Sequence, residues 1–124
     1  MKLARWLVIV GCVLSFGTAL LHGYGYKSVS SVISATNTPQ ILVAAFKCIW
    51  MVFSVQFIVL SAIAAAALSS SRGKQLVLLC SLIPILDAAL MLYYIGPFIG
   101  AYCVIAVAVF MLAGGILLPG PANS

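Results

Sequence analysis

The chain has 124 residues, of which 65% are apolar and only 6% charged. A soluble domain carries about 25% charged residues and about half apolar ones. A chain this short cannot hide such an excess from water, because small domains bury the smallest share of their surface. Composition therefore excludes a water-soluble globular domain and predicts an all-α integral membrane protein whose main solvent is lipid. The net charge of +5 does not indicate nucleic acid, which requires Lys and Arg clustered on a water-facing surface. Here Lys2, Arg5, Arg72 and Lys74 flank apolar stretches, so the bilayer and its anionic headgroups are the expected contact.

The first apolar segment follows Lys2 and Arg5, and a helix is expected over about 6–22. The small residues Gly17-Thr18-Ala19 offer a cleavage point for a signal peptide. The apolar run continues through Leu20 and Leu21, however, and aromatic residues from Trp6 to Tyr26 bracket a full span. A retained helix is the favoured reading. Ile9-Val10-Gly11-Cys12 superficially resembles a lipoprotein processing site, but too few apolar residues precede it for a signal sequence.

Gly23 to Thr38 reads as a polar connection, in which Val29, Val32 and Ile33 lie at helical spacing. Thr38-Pro39 supplies a cap and a first-turn proline for a second helix over 39–68. That length exceeds the hydrocarbon thickness, so part of it must project or tilt, and Lys47 lies where the outer excess ends. Ser69 to Lys74 is a polar turn. A third helix over 75–95 contains Pro84, whose ring removes a backbone bond to Cys80 and predicts a kink. Ile95-Gly96-Pro97 is a tight connection, with Pro97 placed to start a fourth helix over 97–118, which Pro119-Gly120-Pro121 ends. Gly96-x-x-x-Gly100 has the spacing of helix-packing glycines, although Gly96 suits the turn better.

These segments form one transmembrane domain over 1–124, a four-transmembrane-helix up-down-up-down bundle. There is no internal repeat. The basic residues before the first helix and between the second and third fall on one side, which the positive-inside rule assigns to the cytoplasm. The expectation is a multi-pass protein of the cell membrane with both termini cytoplasmic.

Asp87 is the only acidic side chain and lies near the middle of the third helix. An ionisable group at that depth costs roughly 2.5–3.5 kcal/mol on insertion scales and marks a functional site by default. Counting inward from Ile95 places Asp87 about 12 Å deep, and counting inward from Cys48 places Gln56 at the same depth. A hydrogen bond between Asp87 and Gln56 is therefore expected if their helices face each other. The outer half also gathers Tyr24, Tyr26, Tyr93, Tyr94, Tyr102, Lys47 and the lone His22. The plainer account of these residues is an interfacial aromatic belt; the functional one is a polar-mouthed cavity with Asp87 and Gln56 at its floor. Asp87, Gln56, Tyr94, Tyr102, Lys47 and His22 are the candidates for a binding or proton site, and Asp87 is the one catalytic candidate. Cys12, Cys48, Cys80 and Cys103 show no metal-ligand spacing and no C-x-x-C pair, and they read as four small buried apolar side chains. No metal or cofactor is expected.

Three functions fit. The leading one is a structural or interaction subunit, a homo-oligomer or part of a larger membrane complex, suited by small residues that pack helices closely. A small transporter would use Asp87 to bind a proton or a cation. Four short helices with one intramembrane carboxylate resemble the small multidrug-resistance exporters. The essential acid of that family is a glutamate in the first helix, where this chain has no acidic residue. The third function is a membrane-embedded enzyme on a lipid-like or quinone-like apolar molecule, with Asp87 as general acid. Size and helix count are also similar to those of DoxX-like membrane proteins.

Overall fold

The computed structural model describes residues 2–120; Pro121, expected to help end the last helix, lies outside the described residues. The regular elements are α1 (Lys2–Ser34), α2 (Gln40–Ala67), α3 (Gly73–Tyr94) and α4 (Ile99–Leu117). Each is long and apolar enough to cross a membrane.

The largest departure from expectation is α1, which continues for 12 residues beyond position 22. Nothing from Gly23 to Ser34 stops a helix. Glycine costs only about 1 kcal/mol relative to alanine, and the first true breaker is Pro39. The local serines do not compete strongly with the helix either: Ser31 Oγ donates to the Ser28 carbonyl at 2.8 Å, a bond compatible with helical backbone. Thr36 Oγ1 bonds to the Ile33 carbonyl and to Thr38 Oγ1, closing the turn into α2. Thr38 therefore does not cap α2. Pro39 occupies the cap position, and its carbonyl accepts from the Leu42 and Val43 amides. Pro97 likewise lies ahead of the cap residue Phe98. α3 runs through Pro84 as one helix, with the proline ring buried.

α1 packs against both α2 and α4, and α4 packs against α3, whereas contact between α2 and α3 is the sparsest of the four. Residue pairs fix the sense of each contact. The start of α1 meets the end of α2, where Arg5 donates to the Leu68 carbonyl; its middle meets Phe57, whose carbonyl accepts from buried Ser15. The core is built from Val8, Ala19, Phe57, Leu60, Ala64, Val77, Val104, Val107 and Met111.

Close approach is set by glycines other than the 96/100 pair. Gly96 has φ +91°, a left-handed turn conformation open to glycine. A Cβ on Gly100 would run into the ring of Phe98 in its own cap. Helix contacts fall instead at Gly11 against Met111, Gly114 against Val8 and Ala4, and Gly115 against Val77 and Leu78. At Gly114 a Cβ would lie 2.6 Å from Val8 Cγ2 and 2.9 Å from the Val8 backbone nitrogen. Gly114→Ala must therefore push α1 away from α4, an overpacking cost of about 1–3 kcal/mol. Unfolding in detergent is expected to show this loss, whereas Gly17→Ala, which meets nothing within 4 Å, should leave stability unchanged apart from a small gain in helix propensity.

Candidate functional site

Asp87 on α3 and Gln56 on α2 are both half-buried, and Gln56 Nε2 donates to Asp87 Oδ2 at 2.7 Å. The two residues placed at one depth by counting helical rise are thus a bonded pair. The bond joins the most sparsely packed of the four neighbouring helix pairs. Its chemistry is asymmetric. A neutral amide supplies a hydrogen bond but no charge, so it cannot neutralise a carboxylate as an arginine or lysine would.

Beside this pair a groove of about 470 Å³ runs along α2 from Cys48 past Gln56 to Ile63, with Cys80 and Ile83 of α3 on its other side. Val55, Gln56, Val59, Leu60, Cys80 and Ile83 line it. Gln56 is its only amide and the other walls are aliphatic or sulfur-bearing, so the groove differs from the polar-mouthed cavity of the functional alternative. The reason is geometric: the polar aromatics do not converge on Asp87. Tyr93 and Tyr94 lie edge to face at the end of α3, both largely exposed. Tyr102 lines a separate groove between α1 and α4 with Val13, Gly17 and Leu21. Lys47 faces a hollow of about 330 Å³ at the α1–α2 turn, with Ser34, Thr36, Thr38 and Gln40.

His22 is built into a different contact. Its ring stacks on Trp50 with centroids 4.0 Å apart, and Phe53 closes on it at 4.6 Å. Trp50 Nε1 donates to the His22 carbonyl at 2.9 Å, tying α1 to α2. His22 Nε2 and Ser54 Oγ are buried and have no hydrogen-bond partner among the described residues. Sequence reading missed Trp50 and Ser54. The same depth counting would have found them, but it required knowing that α1 passes His22 without ending.

The cysteines remain free thiols; Cys80 is buried, whereas Cys48 is exposed, unlike the uniform burial expected. Among the described residues, no group of three or more His, Cys, Asp or Glu side chains is placed to hold a metal ion.

The Gln56–Asp87 bond gives a measurable coupling. Gln56→Leu or Asp87→Leu alone strands one polar group in an apolar face, at a cost of about 1–3 kcal/mol, whereas replacing both is nearly neutral. A double-mutant cycle read by unfolding in detergent should return a coupling of about 0.5–1.5 kcal/mol. A coupling near zero would mean that the bond contributes nothing to the fold. Comparison with protein-family models, curated proteins and solved structures finds no match, so the functional argument rests on this chain's own chemistry.

Proposed function

We propose that the chain is an interaction subunit of a larger assembly in the cell membrane, a single up-down-up-down transmembrane domain with both termini cytoplasmic. Its α2–α3 face receives a helix, from a second copy or another membrane protein, that donates a hydrogen bond to Asp87. The observation that carries this reading is the Gln56–Asp87 pair on the least closed side of the bundle.

Lipid chains can fill an apolar groove, but they cannot hydrogen-bond. The amide satisfies Asp87 Oδ2 alone, and the second carboxyl oxygen has no hydrogen bond among the described residues. In hydrocarbon an unsatisfied polar group costs several kcal/mol, whereas a partner helix with a donor at that depth would relieve it. Such polar bonds between membrane helices contribute roughly 0.6–2 kcal/mol. The clustering of Arg5 and Lys74 at one end supports the cytoplasmic assignment of that end. Ala4, Val8, Ser15 and Ala19 are buried, which supports retention of the first segment.

A proton- or cation-coupled transporter is the second reading. It is favoured by the absence of any cationic partner on Asp87 among the described residues. An enzyme fits less well, because among the described residues no second catalytic group hydrogen-bonds to the carboxyl.

Migration in a native gel after extraction with mild detergent separates these outcomes. The chain is expected in a complex larger than the monomer. Val55→Trp and Val59→Trp, which fill the groove, should release the monomer, and Val109→Trp on the exposed face of α4 should not. A monomeric native species, or a complex indifferent to both groove variants, would overturn the subunit reading.

A further inference from the structure

The basic end of the bundle contains a further pocket, formed where the α2–α3 turn meets the start of α1 and the end of α4. It encloses about 260 Å³, and its lining includes Arg5, Ser70, Ser71 and Lys74. We propose that this pocket binds a phosphate group, as the headgroup of an anionic lipid or as a free phosphate. The inference rests on the membrane-spanning reading above but not on the α2–α3 partner.

Three features select that chemistry. First, two cations from different helices line one small pocket, and the fold holds both by backbone bonds. Arg5 Nη2 donates to the Leu68 carbonyl at 3.2 Å, and Lys74 Nζ donates to the Ile116 carbonyl at 3.0 Å. Each head retains further donors beyond the one it uses. Second, Asp87 is the only acidic side chain and lies 13 residues along α3 from Lys74, about 20 Å away at the helical rise. It cannot neutralise either cation, and no other acidic side chain is present to compete with a bound anion. Third, two serine hydroxyls add neutral donors, and the first turn of α3 has no acidic residue and no side-chain cap, which leaves its positive end for an anion.

The volume also matters. It is below the roughly 300–1,000 Å³ of pockets that enclose drug-sized ligands, so a headgroup-sized anion fits better than a whole metabolite. Gly73 forms part of the wall, where a Cβ would collide with the Ala67 carbonyl oxygen. The tight turn over residues 68–72 is what brings Ser70, Ser71 and Lys74 beside Arg5.

The test is native mass spectrometry of the full chain in detergent micelles titrated with dioleoyl phosphatidic acid. A single-lipid adduct is expected, and Arg5→Gln/Lys74→Gln should weaken it by about tenfold or more. Lys27→Gln/Lys47→Gln removes the same charge at the other end and should leave the adduct intact. The charge-conserving Arg5→Lys/Lys74→Arg variant should retain it, separating loss of charge from loss of fold. Displacement of the lipid by inorganic phosphate assigns the pocket to a free phosphate; persistence of the adduct assigns it to the lipid headgroup. Equal weakening by the far-end variant, or no weakening by Arg5→Gln/Lys74→Gln, would overturn the proposal. Carbonate extraction of the same variants from membranes reads insertion separately, so failure of the pocket and failure of the membrane reading are distinguishable.

Discussion

Hydrocarbon offers no hydrogen bonds, and on the proposed membrane-spanning reading that constraint organises nearly every polar contact in this molecule. Backbone groups are satisfied within four helices. Several side chains in the apolar stretches satisfy themselves on a carbonyl: Thr18 on Leu14, Ser61 on Ile58, Ser81 on Leu78 and Ser15 on Phe57. Gln56 and Asp87 form the one side chain to side chain bond between helices among the described residues. It lies on the face where helix packing is thinnest. A polar pair is costly in such a place unless something outside the bundle completes it, and this cost is what supports the proposed partner.

The same constraint divides the molecule by region. Close glycine contacts join α1, α3 and α4, and aromatic stacking with a tryptophan hydrogen bond joins α1 to α2. With Gln56 and Asp87 level, α3 ends at Tyr94 opposite about Ile49, so the first part of α2 and the last part of α1 extend roughly 13 Å beyond it. Lys47 belongs to that extension and not to the Asp87 site. The opposite end carries Arg5 and Lys74 on helix carbonyls, where cations complement the negative helix ends.

The hydropathy pattern made the four helices legible, because runs of about 20 apolar residues have few other outcomes. The Gln56–Asp87 level was also legible, since helical rise converts residue number into depth with little error over eight residues. The extension of α1 was not. Its last 12 residues are polar enough to resemble a loop, and their helicity depends on the lack of a breaker before Pro39 and on packing beside α2. The packing glycines were hidden for a related reason: spacing singled out Gly96 and Gly100, but only the fold reveals that Gly11 and Gly114 face neighbouring helices. Tyr94 and Tyr102 belong with Asp87 to the outer half in the sequence, yet Tyr94 lies exposed at the end of α3 and Tyr102 lines the groove between α1 and α4, and membership of one half carries no azimuth.

The central claim is that the open side of Asp87 is covered by another helix in the native membrane. Asp87 is the only carboxyl-bearing side chain, so a lipid-soluble carbodiimide reports on it with little ambiguity. We would compare labelling in native membranes with labelling of the isolated chain in micelles at the same pH, reading the Asp87 peptide by mass. The account predicts an adduct on the isolated chain and protection in the membrane. Equal labelling in both would contradict it, and an adduct that forms readily in native membranes would shift the assignment to a reachable acid that binds protons or cations.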